Sequence, residues 1–143
     1  MTDPKVFRLT APEDCESFAQ NVEKSHPELA KQARRRGVEL RATAYGAKTD
    51  AEREALRAIF AFEEVQSQAR GKKVKASRTW QSIKRDGILP TVEKVVAKRT
   101  GTEAYEALIK AGMADFTFEA VVLNHPQAFS LSTVANAKLR LGR

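Results

Sequence analysis

Residues 49–71 read TDAEREALRAIFAFEEVQSQARG, and this stretch decides the fold class. Thr49 and Glu52 have the spacing of a capping box, which satisfies free N–H groups in the first turn of a helix. Gly71 fits the left-handed position that commonly closes a helix. The stretch therefore predicts a helix of about residues 50–70. Its broad apolar face is formed by Leu56, Ile59, Phe60 and Phe62.

The same signals recur along the rest of the chain, where capping residues or prolines begin helices and glycines end them. Two further capping boxes, at residues 10–13 and 25–28, predict helices of about 11–24 and 27–45. The apolar face expected for the second of these consists of Leu29, Ala33, Leu40 and Ala44. Shorter helices are predicted at about 77–86, 90–100, 102–111, 117–124 and 132–141.

No stretch alternates apolar and polar residues over the length of a strand. We therefore predict an all-α protein of about eight helices, in which three longer N-terminal helices are followed by five short ones. A chain of 143 residues has the length of one domain. We expect a single domain, 1–143, with a long-helix half (1–70) and a short-helix half (71–143) joined by a hinge at residues 69–76.

The composition excludes several classes of protein. Hydrophobic residues make up 42% and charged residues 30% of the chain, which is typical of a globular domain and not of a disordered one. The longest apolar run, residues 58–62, is far shorter than the ~20 residues of a membrane span. The first ten residues lack the apolar stretch of a secretory signal. With Cys15 as the single cysteine, no internal disulfide can form. We expect a cytoplasmic protein, in the nucleoid if the source is bacterial, with no membrane partner.

The positive charge of the chain, a net of +7, is concentrated in one window. Residues 70–99 carry ten basic and two acidic side chains, a net of +8. Residues 1–69 have a net charge of −1, and residues 100–143 are neutral. A localised block of one sign produces a directed field that attracts polyanions. This window is therefore the strongest indication of function in the sequence.

Residues for common kinds of catalysis are sparse. His26 and His125 are the only histidines, and each stands beside a proline at a helix end, which indicates a capping or turn position. Three Cys and His residues in total, far apart, do not make a zinc site, and no glycine-rich phosphate motif occurs. Cys15 is interpreted as a core thiol, and Glu63 and Glu64 as one semi-buried and one solvated carboxylate. We predict no catalytic residue, no metal and no cofactor.

Two glycines could each form the turn of a helix–turn–helix unit. Around Gly87 only two of the five expected positions are apolar. Around Gly112 all five are apolar, but Asp115 and Glu119 would meet phosphates with the wrong sign. We interpret the Gly112 hairpin as core scaffolding and the Gly87 hairpin as a basic surface. The packing residues expected for the Gly112 hairpin are Tyr105, Leu108, Ile109, Phe116, Val121, Val122 and Phe129.

Apolar and basic side chains separate on the Gly87 hairpin. Trp80 and Ile83 are expected to face the core. Alternatively, Trp80 could be a platform on which an unpaired base stacks. On the second helix the inward residues are Val92, Val95 and Val96. The candidate nucleic-acid-binding residues lie on the outer faces and in the preceding loop: Arg70, Lys72, Lys73, Lys75, Arg78, Gln81, Lys84, Arg85, Lys94 and Lys98.

We therefore predict a small non-catalytic nucleic-acid-binding protein that contacts phosphates of duplex DNA, in preference to RNA, through the basic hairpin at 70–99 and with weak sequence preference. The alternatives are a solvated lysine-rich face, a protein–protein interaction module that docks an acidic partner, and an enzyme whose site one sequence does not reveal. A smaller cluster, Arg34 to Arg36, is neutral on balance and indicates local ion pairs. A homodimer is compatible with the small residues of the third helix: Ala51, Ala55, Ala58 and Ala61.

Overall fold

The computed structural model describes residues 3–98 and 101–142, and all regular structure within those ranges is helical. Nine α-helices and two short 3-10 helices are present there, close to the predicted eight, so the all-α fold class is confirmed. The α-helices are α1 (Pro4–Phe7), α2 (Pro12–Val22), α3 (Pro27–Tyr45), α4 (Asp50–Arg70), α5 (Ser77–Asp86), α6 (Ile88–Val96), α7 (Glu103–Lys110), α8 (Phe118–Asn124) and α9 (Leu131–Leu141). The 3-10 helices are Ala114–Phe116 and Pro126–Ala128.

The bounds of α3, α4 and α5 agree with the predicted ranges, because local glycine, proline and capping signals define them. Helix α1 was not predicted; the Asp3 side chain begins it by accepting a hydrogen bond from the Lys5 N–H at 2.8 Å. Helix α6 begins at Ile88, two residues before the predicted Pro90, since a proline anywhere in the first turn removes only an N–H that has no helical partner. The predicted end of that helix falls on residues 99 and 100, which lie outside the described residues.

Of the three predicted capping boxes, the one at Thr49 forms its hydroxyl bond, while its Glu side chain bonds the residue before the N-cap. The Thr49 hydroxyl accepts a hydrogen bond from the Glu52 N–H at 3.1 Å, and the Glu52 carboxylate accepts one from the Lys48 N–H at 2.9 Å. The other two predictions are wrong: the N-caps of α2 and α3 are Ala11 and His26, and neither makes a side-chain capping bond. In both helices a proline occupies the first helical position, so the cap lies one residue later than the box pattern places it.

The chain forms two compact units, Met1–Gly46 and Ala47–Arg143. This boundary precedes α4, whereas the hinge expected from the sequence follows it. A single domain over 1–143 stays a prediction.

In the first unit, α2 packs on α3 through small residues. Cys15 is buried, as predicted, and burial raises the pKa of its thiol. A Cβ atom at Gly37 would lie 3.3 Å from the Cβ atom of Cys15, so the two helices approach closely there. The predicted apolar face of α3 is wrong at Ala44, which is exposed. The buried residues of α3 are Ala30, Ala33, Gly37, Val38 and Ala42.

Two arginines of the α3 cluster bond to residues outside α3, in addition to any ion pairs along one helix face such as the sequence predicts. Arg34 makes ion pairs with Glu23 at 3.0 Å and Glu16 at 3.7 Å. Arg36 donates from Nε to the carbonyl oxygen of Leu9 at 3.1 Å. All three arginines of the cluster are half-buried.

In the second unit, α4 packs against α6 and α8, and α9 closes the core on α8. The buried centre consists of Ala55, Val92, Val96, Val121, Val122 and Ala137. The four alanines of α4 that were compatible with a dimer are all buried inside the chain. Their small size therefore serves packing within the molecule, and a homodimer stays a prediction.

The Gly112 hairpin is more irregular than two helices around a turn, because the 3-10 helix Ala114–Phe116 lies between α7 and α8. Among its expected packing residues, the prediction is wrong for Ile109, which is 38% exposed. Glu119, whose charge argued against DNA contact by this hairpin, is 2% exposed and pairs with Arg140 at 2.9 Å. The hairpin thus carries a buried ion pair.

Replacing Arg140 by Ala should destabilise the second unit strongly. The Arg140 guanidinium pairs with Glu119 and also donates to the Lys98 carbonyl oxygen, so its loss leaves a buried carboxylate without its partner. Breaking such a pair costs about 3–5 kcal/mol. Urea unfolding followed by circular dichroism measures this change. Lys138→Ala, an exposed position on the same helix, is the control and should change the free energy of unfolding by less than ~0.5 kcal/mol. Equal stability of the two variants would contradict this role of the pair.

Candidate nucleic-acid interface

The ten candidate residues predicted from the sequence are all exposed, and we call them together the basic surface. Arg70 ends α4, and three lysines lie in the loop 71–76. Four members lie on α5, Lys94 lies on α6, and Lys98 follows it by two residues. Arg99, which the sequence window includes, lies outside the described residues. The loop and α5 members are Lys72, Lys73, Lys75, Arg78, Gln81, Lys84 and Arg85.

A buried carboxylate on α4 fixes the start of this surface. The Oε2 atom of Glu63 accepts hydrogen bonds from the Ala76 N–H at 2.7 Å and from the Trp80 indole N–H at 2.8 Å. Glu63 is only 6% exposed and Glu64 is half-buried, so the pair is more buried than the one solvated and one semi-buried carboxylate expected from the sequence. A buried carboxylate needs such donors to offset its desolvation. One side chain thus ties both the loop and α5 to α4.

The loop has a second attachment to α4. The Val74 N–H donates to the Ser67 hydroxyl at 2.9 Å. With the bond at Ala76, two backbone groups of a six-residue loop are held by side chains of the preceding helix. The three lysines of the loop therefore project from a backbone whose course is fixed.

Helix α5 turns its apolar side inward as predicted. The Trp80 ring lies 5.2 Å from the Phe60 ring, centroid to centroid, and Ile83 is buried. The prediction that Trp80 packs inward is confirmed, because both its ring and its N–H group are engaged by α4.

Hydroxyl groups fix the angle between α5 and α6. Gly87 joins the helices with a φ of +100°, a conformation that favours glycine. The hydroxyls of Ser82 and Thr91 are 2.9 Å apart, and Thr91 donates to the Gly87 carbonyl oxygen at 2.8 Å. On α6, Val92 and Val96 are buried as predicted, and Val95 is half-buried. No sequence pattern indicates the Ser82–Thr91 contact, because it forms only across the turn.

Asp86 is an acidic residue of the 70–98 segment that pairs with two members of the basic surface. Its carboxylate lies 3.1 Å from the Arg85 guanidinium and 2.9 Å from the Lys94 ammonium. Hydrogen bonds from Arg85 and Lys94 lower the pKa of Asp86 to about 2. Asp86 therefore stays ionised at neutral pH and links the polar sides of α5 and α6.

Glu93, the second acidic residue of the 70–99 window, bonds to a residue outside the basic surface. Glu93 is half-buried, and its Oε1 atom accepts a hydrogen bond from the Ser130 N–H at 2.8 Å, just before α9. Glu103 of α7 lies 3.9 Å from Arg70 at the margin of the surface. Within the described residues, six cations have no carboxylate within 4.0 Å: Lys72, Lys73, Lys75, Arg78, Lys84 and Lys98.

The histidines occupy helix ends, as predicted. His26 is the N-cap of α3, and His125 is the C-cap of α8, where its Nε2 atom lies 2.8 Å from the Glu54 carboxylate. Over residues 3–98 and 101–142, no three His, Cys, Asp or Glu side chains come together in a way that could hold a metal ion. None of the helices in those ranges has the length and apolar character to cross a membrane.

The chain is thus all-helical over its described residues, and ten exposed candidate residues lie in one segment of its second unit. No protein-family model matches this chain, and neither a curated protein nor a solved structure is significantly similar to it. The functional argument therefore depends on the geometry and charge of the surface.

Replacing Glu63 by Gln should loosen the attachment of α5. The amide keeps one oxygen but loses the charge that strengthens both hydrogen bonds, so we expect a loss of about 1–3 kcal/mol in the free energy of unfolding. Trp80 is the single tryptophan, so its fluorescence reports the change directly. Glu106→Gln, at an exposed position of α7, is the control and should behave like the unchanged protein. Unaltered stability and fluorescence of Glu63→Gln would show that this anchor is not needed.

Proposed function

We propose that this chain is a small, non-catalytic nucleic-acid-binding protein that binds the phosphates of duplex DNA through the basic surface. The observation that carries the proposal is the set of six exposed cations without a carboxylate neighbour among the described residues. They belong to one loop–helix–helix segment whose backbone is held in place.

The fixed backbone favours a binding role over a solvated face. Like charges held near one another repel, and this repulsion opposes folding. Solubility needs dispersed charge and does not need a loop of lysines pinned by Ser67 and Glu63. A polyanion relieves the repulsion and releases its condensed counterions when lysine and arginine replace them. The surface therefore matches a phosphate backbone.

Duplex DNA fits this surface better than duplex RNA. Helix α5 presents a convex polar side on an exposed face, and the major groove of B-DNA admits one helix. The deep, narrow major groove of A-form RNA does not. The flanking lysines of the loop and of α6 would then contact the sugar–phosphate backbone on either side. A protein of this kind would act where the DNA is, in the cytoplasm or in a bacterial nucleoid.

Replacing Lys72, Lys73 and Lys75 together by Glu tests the proposal. Three attractive contacts become three repulsions, so affinity for duplex DNA should fall by roughly 100-fold or more at moderate salt. Each change lies on an exposed loop and should move stability by less than ~0.5 kcal/mol. Fluorescence anisotropy of a labelled duplex measures the affinity, and thermal unfolding checks the fold.

The matched control changes Lys24, Lys31 and Lys48 to Glu. These lysines are also exposed, the total change in charge is the same, and none belongs to the basic surface. Affinity should then fall only by the small amount that the altered net charge causes. An equal loss of affinity in both triple variants would contradict a defined binding surface.

A further inference from the structure

Helix α5 has one side in the core and the other in solvent. Its ten residues span about 15 Å. The exposed side carries Arg78, Gln81 and Arg85 at spacings of three and four, which places them in one stripe along the helix. The width of a helix with its side chains, about 10–12 Å, matches the major groove of about 12 Å.

Gln81, the neutral residue of this stripe, is the one that indicates contacts with bases in addition to phosphates. An amide adds nothing to attraction for phosphates, yet Gln81 stands between two arginines on the exposed side. The Gln amide is the group that matches the N6 and N7 atoms of adenine with two hydrogen bonds, and a guanidinium matches O6 and N7 of guanine in the same way. The stripe therefore has the residue types that read base edges.

The side chains of this stripe differ in whether they form hydrogen bonds within the protein. Arg85 donates from Nε and Nη2 to the Asp86 carboxylate at 3.1–3.3 Å. For Gln81 and Arg78, no hydrogen-bond partner occurs in the part of the chain that the structure describes. These two side chains thus keep all their polar atoms available on the exposed side of α5.

The spacing between these two residues suits neighbouring base pairs. Positions three apart on a helix rise by about 4.5 Å, comparable with the ~3.4 Å between successive bases of one strand. Lys75 precedes the stripe and Lys84 lies near its far end, and both are exposed. Lysines at the two ends would set the position of α5 on the backbone while the stripe reads bases.

We infer that α5 is a recognition helix that enters the major groove, where Gln81 contacts an adenine and Arg78 contacts a neighbouring guanine. This inference rests on the proposed function and goes beyond it, because contacts with phosphates alone give only weak sequence preference. The preferred ligand is then a duplex in which an A·T pair adjoins a G·C pair.

Selection from a pool of DNA duplexes with a randomised core tests this inference. The full chain should enrich a motif that contains adjacent A and G. Gln81→Ala removes the amide and with it both expected hydrogen bonds to adenine. Its preference at the adenine position should fall by about tenfold, within the discrimination that one good bidentate contact supplies. Gln127→Ala is the matched control, an exposed glutamine in the 3-10 helix Pro126–Ala128, and should enrich the unchanged motif.

The outcomes separate the inference from the proposed function. If the unchanged protein binds duplexes but enriches no motif, or if Gln81→Ala enriches the same motif as the unchanged protein, the inference is overturned and the proposed function stands. If the unchanged protein binds no duplex at all, the proposed function is overturned, and the inference with it.

Discussion

The carboxylate of Glu63 is the group on which the basic surface depends. It is buried beside α5 and accepts hydrogen bonds from a loop amide and from the only indole of the chain. A carboxylate in this position has lost its water, so both donors are needed to keep it there. The cost of moving either donor away is what holds the loop 71–76 and α5 against α4. The lysines of the loop are placed by this bond, although none of them takes part in it.

Bonds inside the second unit also explain why few carboxylates lie against the cations of the basic surface. Glu119 pairs with Arg140, Glu54 bonds to Asn124 and His125, and Glu93 accepts from the backbone before α9. These carboxylates bond to donors of α8 and its C-cap, of α9 and of the residue before α9, and not to the cations of the basic surface. Asp86 alone among the acids of the 70–98 segment lies against the surface cations, and its two partners keep it ionised. Charge segregation therefore follows from packing as well as from composition.

Local signals predicted much of this structure from the sequence. The ends of α3, α4 and α5 depend on residues within one turn, and the outward side of α5 follows from the positions of Trp80 and Ile83. For the same reason all ten candidate residues are exposed as expected, since they lie opposite apolar positions or in a loop. The caps of α2 and α3 were misplaced by one residue because a proline can begin a helix without a capping side chain.

Contacts between distant residues could not be predicted in this way. Glu63 and Trp80 are seventeen positions apart, and Glu119 and Arg140 are twenty-one apart. Each pair forms only after helices have packed, so the burial of Glu119 and the exposure of Ile109 have no local signature. The sequence thus predicted which residues lie on the surface, and the fold supplied the bonds that hold them there.

The salt dependence of duplex DNA binding tests the central claim most directly. Each phosphate neutralised contributes about −0.9 to the slope of log affinity against log salt. Contacts from five to eight of the exposed basic residues therefore predict a linear slope of roughly −4 to −7 for the unchanged protein. An acidic peptide of equal charge should compete weakly, because it lacks the condensed counterions of a duplex. A slope shallower than about −2, or equal binding of the acidic peptide, would contradict the account and favour an acidic protein as the partner.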